Sequence, residues 1–237
     1  MRLTTDRRIA ILLHEGIRGS HGKTGLTLLR YSDAQIVAVI DRQCAGESLS
    51  QLTGIACNAP IVDSVVSSLA YQPDTLAIGI APTGGGLPDA WWQEVKQAVA
   101  AGLSAINGLH TPMESDPELQ ALLKPGQFIW DIRKEPAGLE VGSGQARSLP
   151  CRRVLAVGTD MAVGKMSASL ELNRAAQRKG IRSKFLATGQ AGVMISGDGI
   201  PLDAIRVDFA AGAVEQLVMR FGNDYDLVIV EGQGSLL

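Results

Sequence analysis

The sequence has little cysteine, few aromatic residues and no run of positive charge. Its three cysteines, Cys44, Cys57 and Cys151, are an odd number without C-x-x-C spacing, so neither a disulfide framework nor a cysteine zinc site is indicated. A net charge of −2 without a Lys/Arg cluster argues against general nucleic-acid binding. No apolar stretch approaches the length that spans a bilayer. We therefore expect a cytoplasmic protein that binds neither nucleic acid nor membrane.

Aliphatic residues and glycine dominate what the sequence does contain. Of 237 residues, 46% are hydrophobic but only 4% are aromatic, and 27 are glycines. Buried parallel strands need Val, Ile and Leu on both faces, so this composition favours α/β layers. Short apolar runs alternate with segments of helical period, which is the order of β-α-β units. The length suits two compact domains.

Residues 1–135 are predicted to form a Rossmann-like N-terminal domain. Its predicted strands are 9–13, 36–40, 75–81, 104–107 and 128–132. Its predicted helices are 24–31, 62–70, 89–101 and 117–122. Residues 136–150 lose this rhythm and are punctuated by two prolines and three glycines. We interpret this stretch as an interdomain linker.

Residues 151–237 are predicted to form a P-loop NTPase-like domain around a parallel sheet. The predicted strands are 153–157, 184–188 and 227–230, and the predicted helices are 165–179 and 209–221. Apolar residues at positions 168, 172, 175 and 176 predict a buried stripe on the first helix. Asp208 is the predicted N-cap of the second helix. Three strands are too few for a parallel sheet covered on both faces, so we expect this domain to be incomplete.

A G-x-x-x-x-G-K motif runs from Gly158 to Lys165, between a predicted strand and a predicted helix, as a phosphate-binding loop requires. Its glycines let the backbone turn tightly, so that successive N–H groups point at one anion. The helix N-terminus adds its dipole and Lys165 adds a mobile positive charge. We assign phosphate or nucleotide binding to Gly158, Thr159, Gly164, Lys165, Met166 and Ser167.

Position 166 departs from the pattern of nucleotide hydrolases, which place there a Ser or Thr hydroxyl that ligates Mg²⁺. The residue is Met166, and Ser167 points about 100° away around the helix. Mg²⁺ coordination and fast ATP hydrolysis are therefore in doubt, and we assign no metal ligands.

Two carboxylates are candidates for catalysis. Glu231 ends an aliphatic strand, where P-loop proteins place a carboxylate that binds metal or water. An ordinary strand-end carboxylate is the alternative. Asp160 lies inside the loop, where it would repel a bound anion. It therefore holds a metal, a lysine or a substrate amine, or it stabilises the loop through an Asx turn.

A second glycine-rich loop, residues 16–25, follows the first predicted strand. We assign cofactor binding in this domain to Arg18, Gly19, Gly22, Lys23, Thr24 and Asp41. Asp41 ends the next strand, where Rossmann-like folds hydrogen-bond a ribose. Many such domains keep the fold without the ligand, so that alternative stays open.

Four stretches of the C-terminal half occur in a characteristic order. They are GTDMAVGKM at 158–166, ATGQAGVMISG at 187–197, VDFAAGAVE at 207–215 and IVEGQGSL at 229–236. Together they resemble the D-glutamate N-acetyltransferase family, in which a Rossmann-type domain is joined to a P-loop domain. A methionine after the P-loop lysine is typical of that family. Its members continue past the position of Leu237, so the resemblance implies that the end of the catalytic domain is missing here.

The resemblance implies transfer of an acetyl group from acetyl-CoA, the co-substrate, to the amine of D-glutamate, in D-amino-acid catabolism. Substrate contacts are assigned to Thr188, Gln190 and Gln233, and proton transfer to Glu231 or Asp160. The expected partners are an acidic amino acid and further copies of the chain in a homo-oligomer. Two other hypotheses stay open. One is an ATP-dependent carboxylate-activating enzyme similar to dethiobiotin synthetase, and the other is a non-catalytic nucleotide-sensing module.

Overall fold

The computed structural model describes residues 6–82, 86–160 and 162–234. The chain divides between Arg133 and Lys134 into two compact units, called here the N-terminal unit and the C-terminal unit. Each contains a parallel β-sheet with helices, which confirms the predicted α/β class. No described helix combines the length and hydropathy that a bilayer crossing demands.

The N-terminal unit is built on a six-stranded parallel sheet. Its strands are β1 (Arg8–Leu12), β2 (Gln35–Ile40), β3 (Ile61–Val62), β4 (Thr75–Ile78), β5 (Ser104–Asn107) and β6 (Ile129–Asp131). Its α-helices are α1 (Lys23–Tyr31), α2 (Leu49–Thr53), α3 (Val65–Ser68), α4 (Asp89–Ala100) and α5 (Pro117–Leu122). The strand order is β3-β2-β1-β4-β5-β6. Successive strands are added on one side of β1 up to β3 and on its other side from β4 onward, so the switch point lies between β1 and β4. Open α/β sheets bind ligands outside the carboxyl ends of the strands at such a switch point.

The strands predicted for this unit are present, with shifted ends. Residues of β4 and β5 are buried throughout, as aliphatic strands in a parallel sheet require. Neither β3 nor α2 was predicted, because elements of two and five residues are too short to show a period. The helix predicted over 62–70 is wrong in its first part. Val62 pairs with Ile40 in the sheet, and the Ser64 hydroxyl caps α3 by accepting a hydrogen bond from the Ser67 amide.

The C-terminal unit contains a three-stranded parallel sheet in the order β7-β9-β8. Its elements are β7 (Arg152–Ala156), α6 (Lys165–Arg178), β8 (Ser183–Leu186), α7 (Gln190–Ser196), α8 (Val207–Phe221) and β9 (Leu227–Glu231). Each of the two crossovers carries a long helix, α6 between β7 and β8 and α8 between β8 and β9. A buried core joins α8 to the sheet, and it includes Leu149, Cys151, Leu186, Ile200, Ile205, Ala213, Leu217, Val218, Val228 and Val230.

Three features of the C-terminal unit correct the sequence prediction. Helix α7 was not predicted, because glycines interrupt its short apolar pattern. Helix α8 begins at Val207, so Asp208 lies in its first turn rather than at its N-cap. The buried stripe of α6 is also misplaced. The helix packs on β8 and β9 through the face that carries Leu170, so Ala168 and Leu172 are exposed, as is part of Ala175, while Ala176 is buried.

Strand β7 exposes apolar side chains. Within the described residues it pairs only with β9, and Val154 and Leu155 are 40% and 59% exposed. Apolar edge strands of this kind favour association with another strand. The homo-oligomer stays a prediction, and this edge is the surface of the C-terminal unit to examine first.

The Glu215 carboxylate of α8 holds part of the segment predicted as a linker. Glu215 accepts hydrogen bonds from the Ser143 amide at 2.6 Å, the Ser143 hydroxyl at 3.1 Å and the Ala146 amide at 3.0 Å. The bonds from the Ala146 and Ser143 amides lower the pKa of Glu215 from its ordinary 4.5 to about 2. The charged carboxylate therefore fixes residues 143–146 on the helix.

Replacing Glu215 with Gln should lower the melting temperature at neutral pH. Because the pKa of Glu215 is lowered in the folded protein, its stabilising contribution is complete above pH 4.5 and is lost as the pH falls through about 2. The deficit of Glu215→Gln should thus shrink over that window when melting is followed by circular dichroism. Glu140→Gln, at an exposed carboxylate of the same unit, is the control. An equal deficit at every pH, or none, would contradict this role.

Candidate phosphate-binding and catalytic site

The predicted phosphate-binding loop connects β7 to α6, as its motif requires. Met161 lies outside the described residues; on either side of it the loop is tightly turned. Gly164 has φ +97° and Ala162 has φ +60°. Both values lie in the left-handed region, which residues other than glycine rarely adopt. The Lys165 ammonium donates a hydrogen bond to the carbonyl oxygen of Asp160 at 2.6 Å. The lysine is therefore folded over the loop, where a bound phosphate would meet it.

The end of β9 closes against the stem of this lysine. A side chain at Gly232 would collide with the carbonyl oxygen of Ala156 and would lie 3.8 Å from Lys165 Cδ. A side chain at Gly158 would lie 3.2 Å from Lys165 Cγ. Both glycines are needed for the loop, the lysine and the end of β9 to approach one another. Sequence reasoning did not assign Gly232, although a glycine directly after a strand-end acid is a signal for such an approach.

Glu231 lies at the carboxyl end of β9, 6% exposed. Its Oε2 accepts hydrogen bonds from the Thr188 amide at 3.1 Å and the Gly189 amide at 3.3 Å. The Thr188 hydroxyl donates to the carbonyl oxygen of Glu231 at 2.7 Å. Hydrogen bonds from amides favour the charged form of a carboxylate. The strand-end acid therefore joins β9 to the turn that begins α7.

Gly192 makes this arrangement possible. A Cβ on Gly192 would lie 2.6 Å from Glu231 Oε2 and 2.9 Å from Ala187 Cβ, which is too close for any carbon. The glycine thus lets α7 approach the carboxylate. The sequence motif contained Gly192, but its role becomes visible only when β9 and α7 are side by side.

The other residues assigned to this site differ in accessibility. Thr188 is 1% exposed and its hydroxyl is used within the fold. Gln190 is the first residue of α7 and is half-buried, while Gln233 is exposed and its side-chain amide lies against Gly189. Their substrate contacts stay predictions. Around the phosphate loop, Thr159 and Asp160 are exposed, and Met166 and Ser167 are half-buried in the first turn of α6.

The glycine-rich loop of the N-terminal unit is stabilised by its own polar residues. Asp41 is fully buried, and its carboxylate accepts hydrogen bonds from the Gln43 amide at 3.0 Å and the Ile17 amide at 3.4 Å. Arg18 forms an ion pair with Glu47 at 2.6 Å. These contacts explain Asp41 and Arg18 as supports of the loop, and their predicted contact with a cofactor stays a prediction.

The glycines of this loop have a packing role. A side chain at Gly22 would collide with the carbonyl oxygen of Gly16, and one at Gly19 would collide with the carbonyl oxygen of Glu15. Lys23 is exposed and Thr24 is buried in the first turn of α1. Close packing of the loop on itself thus accounts for both glycines, whether or not a cofactor binds.

A buried histidine–carboxylate pair lies beyond β1 in the same unit. His14 Nε2 lies 2.9 Å from Glu94 Oε1, and the Val65 amide donates to Glu94 Oε2 at 2.9 Å. His14 Nδ1 accepts from the Arg42 amide, which places the ring proton on Nε2. Burial alone raises the pKa of Glu94, but the hydrogen bonds from His14 and Val65 bring it below its ordinary value.

Two family models match successive parts of the chain. Residues 42–135 match the Rossmann-like domain described as DUF1611_N, a domain of unknown function, and residues 140–237 match the P-loop domain described as DUF1611_C. A crystal structure of a DUF1611 family protein from Anabaena variabilis is 67% identical, with a TM-score of 0.95. The match covers 98% of this chain and 68% of that one. The chain belongs to the DUF1611 family.

Two relatives of this DUF1611 chain are named D-glutamate N-acetyltransferase, which confirms the resemblance found in the sequence. The one from Tritonibacter scottomollicae is 41% identical over 188 residues, and the one from a Pseudoalteromonas species is 37% identical over 174. These matches cover 78% and 73% of this chain, and 55% and 52% of the relatives. The chain thus spans about half the length of these curated relatives.

Gly192→Ala should destabilise the protein, although Gly to Ala inside a helix ordinarily stabilises by up to about 1 kcal/mol. The added methyl group would force Glu231 or α7 to move, and overpacking of this kind costs about 1–3 kcal/mol. Urea unfolding of the variant measures the cost. Gly234→Ala is the control, because a Cβ there meets no atom within 4 Å. Equal stability of the two variants would show that Gly192 does not set the position of the carboxylate.

Proposed function

We propose that the chain carries the phosphate-binding and amine-binding site of an enzyme that transfers an acetyl group from acetyl-CoA to the amine of D-glutamate. The observation that supports this most is the placement of Lys165 and Glu231 at one edge of the β7-β9-β8 sheet. A phosphate-binding cation and a carboxylate are two of the groups that this reaction needs. The names of the two relatives supply the reaction and the substrate.

In this proposal the loop holds phosphate. Coenzyme A carries a pyrophosphate and a ribose phosphate, and the loop amides, the N-terminus of α6 and the Lys165 ammonium are suited to bind such anions. Lys165 would exchange its bond to the Asp160 carbonyl oxygen for one to a phosphate oxygen. The backbone amides of the loop would donate further hydrogen bonds to the phosphate.

Glu231 or Asp160 would act on the amine. An amino-acid amine is mostly protonated near pH 7 and attacks only when neutral, so a carboxylate must take its proton. The neutral nitrogen then forms a bond to the thioester carbonyl carbon, and the carbon–sulfur bond breaks. The sulfur leaves as the thiol of coenzyme A with the second proton of the nitrogen, which gives the N-acetylated amino acid. Glu231 accepts hydrogen bonds from the two residues that precede α7, and α7 begins at Gln190, which we assign to the substrate.

The test measures acetyl transfer directly. Protein is incubated with acetyl-CoA and either D- or L-glutamate, and free thiol and N-acetylglutamate are followed together. We expect free thiol and N-acetylglutamate to form in equal amounts. The D isomer should react faster than the L isomer, and the reaction should need no ATP. The longer Anabaena protein is assayed in parallel, so that an inactive short chain is not mistaken for a different chemistry. Glu231→Gln and Asp160→Asn are compared in kcat and pH profile, because loss of the proton acceptor should lower kcat by about 10²–10⁴-fold.

Two other outcomes would contradict acetyl transfer and favour one of the alternative functions. Phosphate release from ATP that depends on a carboxylate substrate, without thiol release, would identify the ATP-dependent carboxylate-activating enzyme instead. Bound nucleotide without either reaction, in both proteins, would identify the nucleotide-sensing module.

A further inference from the structure

The P-loop fold implies a nucleotide with Mg²⁺, and the residues of this site can be tested for their fit to that ion. Mg²⁺ demands oxygen ligands at about 2.0–2.1 Å in near-octahedral geometry. In P-loop nucleotide hydrolases the protein supplies a hydroxyl directly after the loop lysine and a carboxylate at the end of a neighbouring strand. Both positions are described in this structure.

The first position lacks an oxygen ligand. Residue 166 is Met, and a thioether is a soft donor unsuited to a hard cation such as Mg²⁺. Ser167 is displaced by about 100° around the helix. Ser169 is 2% exposed, and its hydroxyl donates to the Lys165 carbonyl oxygen at 2.9 Å. The first turn of α6 therefore offers no hydroxyl where the ion would require one.

The second position is occupied by a carboxylate that faces hydrogen-bond donors. Glu231 Oε2 accepts hydrogen bonds from the Thr188 and Gly189 amides, and it lies so close to Gly192 that a Cβ there would be 2.6 Å away. Oε2 therefore already has hydrogen-bond partners within the protein.

From these contacts we infer that the loop of the C-terminal unit binds phosphate without a divalent cation. The Lys165 ammonium and the loop amides supply the positive charge that Mg²⁺ supplies elsewhere. This suits a ligand whose phosphate serves as a handle and is not transferred, such as coenzyme A. In that respect the inference rests on the proposed function, because a thioester reacts far from its phosphates and needs no ion to bridge them.

The experiment is calorimetric titration of coenzyme A and of ADP into the protein, once in excess Mg²⁺ and once in EDTA. We expect the Kd of each ligand that binds to agree between the two buffers within about twofold. Lys179→Ala, at an exposed lysine at the other end of α6, should behave as the unchanged protein does. A Kd weaker by about tenfold or more in EDTA, for either ligand, would overturn the inference, and so would the absence of binding of both ligands in both buffers.

The outcome is independent of the acetyl-transfer assay. Metal-indifferent binding without acetyl transfer would leave this inference standing and remove the proposed function. Acetyl transfer together with Mg²⁺-dependent binding would do the reverse.

Discussion

The carboxylate of Glu231 joins the central strand of the C-terminal unit to its neighbour at the carboxyl edge of the sheet. One oxygen accepts hydrogen bonds from the Thr188 and Gly189 amides, and the Thr188 hydroxyl returns a bond to the Glu231 carbonyl oxygen. A buried carboxylate is costly unless it is hydrogen-bonded in this way. The bonds therefore set where α7 begins. They also require Gly192, because a larger residue would occupy the position of the carboxylate oxygen.

The other side of β9 shows the same dependence on close approach. Gly232 follows the acid, and its lack of a side chain lets the end of β9 lie against Ala156 and the stem of Lys165. The stem of the lysine thus lies near Gly232, the residue directly after the acid. The positions of Lys165, proposed to bind the anion, and of Glu231, proposed to accept a proton, both depend on backbone contacts at the end of β9. The proposed binding of phosphate without a metal ion rests on two features of this site. Glu231 Oε2 faces backbone amides, and no hydroxyl directly follows Lys165.

The sequence predicted those parts of the fold and site that depend on a local pattern. Aliphatic runs predicted the strands, and the loop from Gly158 to Lys165 was recognised because its glycines and lysine are contiguous. Other features depend on contacts between distant segments. The bonds of Glu231 to residues 188 and 189, the anchoring of residues 143–146 by Glu215 and the exposure of Leu172 all reflect which elements are neighbours. No periodicity along the chain contains that information, and short elements such as β3 and α7 leave too little pattern to detect.

We infer that the loop before α6 binds phosphate and that Lys165 carries the mobile charge of this site. Its most direct test is a titration of ATP, ADP and coenzyme A into the unchanged protein and into Lys165→Ala. Lys179→Ala, at an exposed lysine beyond the other end of the same helix, is the control. We expect Lys165→Ala to weaken the binding of at least one ligand by about tenfold or more, and the control to leave binding unchanged. Unchanged binding of every ligand by Lys165→Ala would contradict it.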